Sequence, residues 1–202
     1  MKKKMLLIVL SVVLVSAAAI GATLAYFSAT ATADNTFTVG NVQIKLEEPR
    51  WLASGSKDAP EVYPGEPLEK DPFVTNTGAN PCVVRIKVSL PIAGITFRNL
   101  DTTNWIDGED GYYYYKYPLK SSIDSDPNNA SLTVSTTKLF THVVMPTSLT
   151  NGDASTIYDI KVTAQAVQAQ GIFPSFSSIR DGIGSASELD AVKAMFVNGF
   201  GI

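Results

Sequence analysis

Residues 82–90 read Cys82-Val-Val-Arg-Ile-Lys-Val-Ser-Leu90, and their apolar side chains recur at every second position. Successive side chains of a strand point to opposite faces, so a period of two predicts a strand with one apolar and one polar face. The apolar face would carry Cys82, Val84, Ile86, Val88 and Leu90, and the polar face Arg85, Lys87 and Ser89.

A second segment, residues 157–167, alternates in the same way. Its inward side chains are predicted to be Tyr158, Ile160, Val162, Ala164 and Ala166, and its outward ones Asp159, Lys161, Thr163 and Gln165. Shorter strands are predicted at 73–75, 112–117, 131–135 and 138–145, and Tyr63-Pro-Gly-Glu66 predicts a tight turn. Five prolines between residues 49 and 72 are expected to exclude a helix or a central strand, so we predict loop and edge structure there. We therefore expect a mainly β fold, a jelly-roll-like antiparallel β-sandwich.

The chain changes to a helical period near its C-terminus. Leu189, Val192, Met195 and Phe196 recur at helical spacing. Ser185 and Glu188 fit a capping box, and Gly199 is expected to end the helix. A short C-terminal helix should therefore pack against the sandwich.

The first 25 residues have the composition of a secretory signal peptide. Three lysines, Lys2 to Lys4, precede an apolar run at residues 5–20, and small residues follow. We expect a signal peptidase to cleave between Ala25 and Tyr26, with Ala-Thr-Ala sequences at 29–31 and 31–33 as alternative sites. A retained membrane anchor is the other interpretation, because uncharged residues run from 5 to 33. We favour cleavage, which predicts a secreted protein at the cell surface or in the extracellular matrix.

The segment that follows the leader, residues 26–39, also alternates. Its apolar face comprises Phe27, Ala29, Ala31, Ala33, Phe37 and Val39. After Gly40 the phase changes, so that Val42, Ile44 and Leu46 stand at even positions, and a shift of one residue turns every side chain to the other face. Two interpretations stay open: a first strand within its own domain, or an arm that pairs with a neighbouring molecule. Residues 40–202 are expected to form one domain.

The composition excludes several function classes. Without the three leader lysines, 13 basic residues face 19 acidic ones, a net charge of −6 that does not favour nucleic acid. Cys82 is the single cysteine, so an internal disulfide cannot form. His142 is the single histidine, which excludes a two-histidine zinc motif. We expect no catalytic residues, cofactor or metal, and hence no enzyme.

Two acidic segments contain closely spaced carboxylates. The acidic segments 107–111 and 124–126 offer oxygens to calcium but lack the EF-hand spacing, so solvated turns are the preferred interpretation.

The tyrosine run at 112–117 places rings on both faces of a strand. One face would enter the core, and the other would be either an aromatic ladder or an interface. The candidate interface residues are Tyr112, Tyr113, Tyr114, Tyr115 and Tyr117.

Three stretches resemble the TasA/camelysin family of secreted biofilm-matrix fibre proteins. They are Gly21-Ala-Thr-Leu-Ala-Tyr-Phe-Ser28 with residues 35–46, Asp71-Pro-Phe-Val-Thr-Asn-Thr-Gly78 with residues 83–88, and residues 158–171. The tyrosine run and residues 172–202 have no counterpart in this resemblance.

The resemblance implies a jelly-roll subunit of extracellular biofilm fibres. It implies a head-to-tail homopolymer in which residues 26–39 of one copy insert as a donor strand into the next, with other matrix proteins as further candidate partners. A monomeric surface adhesin or binding module is the alternative function. Peptidase activity, which the camelysin name suggests, conflicts with the single histidine.

Overall fold

The structure is a computed structural model, and it describes residues 41–59, 62–125, 129–150, 158–169 and 182–200. The leader, the cleavage positions Ala25 and Tyr26, and the alternating segment 26–39 lie outside these residues. The structure therefore does not test the predictions about the leader, its cleavage or segment 26–39.

The described residues form strands β1 (Ile44–Glu47), β2 (Pro67–Glu69), β3 (Phe73–Asn76), β4 (Cys82–Ser89), β5 (Thr96–Arg98), β6 (Trp105–Asp107), β7 (Tyr113–Tyr115), β8 (His142–Val144) and β9 (Lys161–Gln168). A π-helical turn (Trp51–Gly55) leads into a short helix α1 (Ser56–Asp58), and a longer helix α2 (Ala186–Phe200) follows β9. The strands pair in three antiparallel sheets, β1-β3, β2-β8-β5 and β6-β7-β4-β9. The prediction of a mainly β, antiparallel fold with a C-terminal helix is confirmed.

The two segments with the clearest alternation pair with each other. β4 and β9 are in register along their full lengths, from Cys82↔Gln168 to Ser89↔Lys161. β9 begins at Lys161, later than predicted, and residues 158–160 precede it without strand structure. β7 pairs with the other side of β4, so β4 is an interior strand of its sheet.

One face of β4 lies in a large hydrophobic cluster, which we name the main core. Cys82, Val84 and Ile86 are at most 1 % exposed there, beside buried residues of other strands such as Val74 and Val143. This confirms the predicted apolar face. Leu90 is the exception, because it lies beyond the end of β4 and is 39 % exposed.

The other face of β4 is also buried in its first half, contrary to the prediction of a polar face. Helix α2 packs on this face and forms a second cluster, the helix-side core, which contains Val83, Tyr114, Val167, Val192, Met195 and Phe196. Arg85, predicted to face outward, is only 3 % exposed. Lys87 and Ser89, farther along the strand, are exposed as predicted.

The predicted capping box begins α2. The Glu188 amide donates to Ser185 Oγ over 3.3 Å, and the Glu188 carboxylate accepts from Ser185 Oγ and the Gly184 amide. The prediction that Gly199 ends the helix is wrong, because α2 extends to Phe200. A side chain at Gly199 would approach Val167 Cγ1 to 2.8 Å, so the glycine lets the helix lie close to β9.

The structure of the proline-rich segment, residues 49–72, agrees only partly with the prediction. The turn at Tyr63–Glu66 is confirmed, with Gly65 at φ 84° and the Glu66 amide donating to the Tyr63 carbonyl. Instead of a loop, however, the π-helical turn and α1 occupy residues 51–58. No proline falls between Pro49 and Pro60, and a helix tolerates proline at its start or just past its end.

Three predicted strands are shorter than expected, and of residues 112–117 only Tyr113–Tyr115 form one. Of residues 138–145, only His142–Val144 form a strand, and residues 131–135 contribute a single β-bridge between Ser135 and Thr75. Hydrogen bonds from the Asn76 and Thr136 amides to the Val134 and Val74 carbonyls hold this segment along β3. The outer side of β3 is therefore covered.

We predict that Cys82 is chemically inert in the folded protein. Burial in the main core raises the pKa of its thiol to about 12, so the reactive thiolate is absent at neutral pH. A thiol-specific reagent should modify the native protein far more slowly than the protein unfolded in guanidinium chloride. Because Cys82 is the only thiol, mass spectrometry reads the result directly, and equal rates in both states would contradict its burial.

Candidate functional site: an open sheet edge

The strand order leaves β9 at the end of the four-stranded sheet. Among the described residues, β4 is the only strand hydrogen-bonded to β9. β9 is eight residues long, whereas the other terminal strands in the described part have three or four. Eight residues correspond to about 26 Å of edge. β9 contains no proline and one charged residue, Lys161, so it lacks most devices that protect exposed edges.

Burial decreases sharply from β4 to β9. Val84 and Ile86 are 1 % and 0 % exposed, but their partners across the pair, Ala166 and Ala164, are only half-buried. Val162 is also half-buried. All of these side chains contact the main core, so the core is less well covered along β9 than along β4.

β1 lies near β9 and is also half-buried. The Cα atoms of β1 and β9 approach within 8 Å, yet the two strands belong to different sheets. Val42, Ile44 and Leu46 pack partly buried against the main core. We name the side of β9 that faces away from β4 at residues 161–167, together with the half-buried side chains of β1 and β9, the open edge.

The beginning of the described chain is held tightly beside this edge. The Gln43 carbonyl accepts from the Thr77 and Gly78 amides, and the Asn41 carbonyl accepts from the Asn80 amide. A Cβ atom at Gly78 would lie 2.6 Å from both the Asn41 carbonyl oxygen and the Gln43 nitrogen. Only glycine permits this approach, so Gly78 fixes where residues 41–43 leave the domain.

A buried group of charges holds the other end of β1. Lys70 is 5 % exposed, and its Nζ lies 3.0 Å from Glu48 and 4.6 Å from the centre of the Trp51 ring. Asp71 is fully buried, accepts from the Arg50 amide over 2.9 Å, and lies 2.8 Å from Lys138 Nζ. Each buried charge has an opposite charge beside it, as burial requires. These contacts fasten the residues after β1 to β2 and β3.

The tyrosine run divides into buried and half-buried side chains. Tyr114 is fully buried in the helix-side core and Tyr115 is 6 % exposed in the main core, because both faces of β7 are covered. As interface residues these two are therefore wrong. Tyr112, Tyr113 and Tyr117 are half-buried, and an interface role for them remains a prediction.

The acidic segment 107–111 behaves as a turn. Asp107 accepts from the Glu109 amide over 2.9 Å. Asp110 accepts from the Tyr112 amide and, over 2.6 Å, from the Tyr114 hydroxyl. Asp124 accepts from Asn129, while Asp126 lies outside the described residues. The carboxylates in the described part thus serve turns and side chains.

The described helices include none that is long and apolar enough to cross a bilayer. Residues 1–91 match the model of a family described as camelysin metallo-endopeptidase, in agreement with the TasA/camelysin resemblance. The matched part contains the leader, segment 26–39 and β1 to β4, and it ends before β9 and α2. No curated protein matches the chain.

The family description implies a metal centre, and the described residues do not fit one. His142 lies in β8 with Nδ1 2.9 Å from Thr141 Oγ1. No three His, Cys, Asp or Glu side chains lie close enough to share an ion within residues 41–59, 62–125, 129–150, 158–169 and 182–200. The ligands of a zincin-type site also require a second histidine, which the sequence lacks.

We predict that Gly78→Ala lowers the free energy of unfolding by about 1–3 kcal/mol, because the added methyl group displaces residues 41–43. Gly184→Ala is the matched control, since its Cβ would meet no atom closer than 3.6 Å. Thermal unfolding measures both variants. Equal stability of the two would show that Gly78 does not hold residues 41–43.

The attachment of β1 should weaken in acid. Hydrogen bonds from Lys45 and Thr75 lower the pKa of Glu47 below its ordinary value. A lowered folded-state pKa stabilises above the unfolded value, and this contribution is lost as the pH falls through the folded value. Amide exchange in β1, corrected for intrinsic rates, should therefore rise relative to β4 at about pH 3. Glu47→Gln should remove most of this pH dependence, and an unchanged dependence would exclude Glu47 as its source.

Proposed function

We propose that this chain is an extracellular structural subunit, in which segment 26–39 of one copy adds as a strand to the open edge of the next. The observation that carries the proposal is the contrast in burial between β4 and β9. Apolar side chains of β9 face the main core, yet β4 is the only described strand that is hydrogen-bonded to β9.

Segment 26–39 has the properties that this edge requires. It has 14 residues, more than enough to pair with the eight of β9, and its apolar side chains fall on one face. Main-chain hydrogen bonds would supply affinity, and the apolar face would set the register against the half-buried side chains of the open edge. The fixed course of residues 41–43 beside Gly78 would set where the arm begins.

This arrangement extends without closing. The donor segment and the acceptor edge are different surfaces of the same chain, so each bound copy offers a free arm or a free edge to another. Removal of the leader at Ala25–Tyr26 would release the arm only after export, which would prevent polymerisation inside the cell. We extend the proposal to biofilm-matrix fibres because three stretches of the sequence resemble the TasA/camelysin family.

A metallo-endopeptidase is the second candidate, because that activity appears in the description of the matching family. The absence of a second histidine argues against a zincin-type enzyme. Cleavage of an unfolded protein substrate that a chelator abolishes and His142→Ala also abolishes would favour the peptidase over the structural subunit.

We predict that Phe37→Asp prevents polymerisation of the chain that lacks residues 1–25, whereas Thr38→Asp does not. The first substitution places a carboxylate on the apolar face of the arm, where docking would bury it at a cost of several kcal/mol. The second places the same charge on the opposite face. Sedimentation and negative-stain microscopy compare the two variants at equal concentration.

Deletion of residues 26–39 provides the stricter test. The truncated chain should remain monomeric, and a synthetic peptide of residues 26–39 should slow amide exchange in β9 when added to it. Fibres formed by the truncated chain, or a stable monomer formed by the chain with its arm intact, would contradict the proposal. The second outcome would favour a monomeric surface adhesin.

A further inference from the structure

Helix α2 covers only part of the outer face of the four-stranded sheet. Val83 and Val167 lie beneath the helix, whereas Lys87 and its cross-strand partner Thr163 are exposed. The next pair along the strands, Ser89 and Lys161, is exposed too. We name this uncovered face, comprising Lys87, Ser89, Tyr112, Lys161 and Thr163, the basic platform.

Arg85 lies at the border between the helix and the basic platform. Its guanidinium lies 3.8 Å from the centre of the Tyr112 ring and 4.4 Å from that of Phe196. Nε donates to Gln165 over 2.8 Å, and Nη1 donates to the Tyr114 hydroxyl over 3.0 Å. Nη2 is buried and has no acceptor among the described residues. A buried cation with free donors is costly and calls for an acceptor that the described side chains do not supply.

A second cation lies beside the same ring. Lys87 Nζ is 5.5 Å from the centre of the Tyr112 ring. Neither Lys87 nor Arg85 forms an ion pair in the described part of the chain. Asp110 is the carboxylate bonded into this group, and its two oxygens accept from the Tyr112 amide and the Tyr114 hydroxyl. Positive charge is thus in excess here, on a protein whose net charge is negative.

We infer that the basic platform binds carboxylate groups of an acidic polysaccharide. A uronate carboxylate would meet Lys87 first and then accept from Arg85 Nη2 after the half-exposed Tyr112 ring shifts. The ring would contact the apolar face of the sugar, while the hydroxyls of Thr163 and Ser89 would bind sugar hydroxyls.

Charge density favours a polysaccharide over nucleic acid. Duplex DNA carries one negative charge per about 1.7 Å of axis, and the acidic remainder of this protein would repel so dense a polyanion. A uronate polymer carries one charge per sugar, which suits a small group of two or three cations. This inference does not depend on the open edge, because the basic platform lies on a face of the sheet and not on its edge.

The test is calorimetric titration of the protein lacking residues 26–39 and of the full processed chain with polygalacturonate, at low and moderate salt. Lys87→Gln should weaken binding by about fivefold, as expected for loss of one partly exposed charge contact. Lys57→Gln is the matched control, because it removes the same charge at an exposed position on α1. Galacturonate monomer should shift the Arg85 side-chain nitrogen resonances in NMR spectra, and at the same ligand concentration this shift should be smaller in Lys87→Gln.

Equal weakening by Lys87→Gln and Lys57→Gln would overturn the inference in favour of diffuse electrostatic attraction. Tighter binding of duplex DNA, or equal binding of neutral dextran, would overturn the choice of ligand. Absence of polygalacturonate binding with unchanged fibre formation would reject the basic platform and leave the proposed function intact. Polygalacturonate binding by a processed chain that does not polymerise would support the inference about the basic platform and contradict the proposed function.

Discussion

The burial of β4 on both faces is the constraint on which the rest of the described structure depends. An antiparallel strand usually has one face in the core and one in solvent, and the alternation in β4 is of that kind. Helix α2 nevertheless packs on the second face, so Arg85 must be buried together with Val83. Three aromatic rings and two hydrogen bonds surround its guanidinium, while Nη2 has no acceptor among the described residues.

β9 is much less buried than β4. It pairs with β4 over eight residues and contributes to the same main core, but its apolar side chains Val162, Ala164 and Ala166 remain half-buried, and β4 is the only described strand hydrogen-bonded to it. β1 is fixed nearby by Gly78 and by the buried ion pairs of Lys70 and Asp71. A rigid, incompletely covered edge is what a strand from another molecule would need as a binding surface.

The family match covers the proposed donor segment but not the proposed acceptor strand. Residues 1–91 include the arm and the strands that hold its base, whereas the acceptor strand β9 lies outside the matched part. Helix α2 also lies outside it, and so does Tyr112 of the basic platform.

The sequence by itself determined the alternating strands β4 and β9, the turn at Tyr63–Glu66 and the capped C-terminal helix. These features depend on local periodicity and on the conformational preferences of a few residues, which short stretches contain in full. It could not reveal that Arg85 and Tyr114 are buried, that Gly199 lies inside α2, or that Gly78 contacts residues 41–43. Each of these depends on a segment distant in sequence, and only the tertiary structure decided which face the helix covers and which strand edge stays open. An alternating sequence indicates that a strand has one apolar and one polar face, but tertiary packing determines which element covers each face.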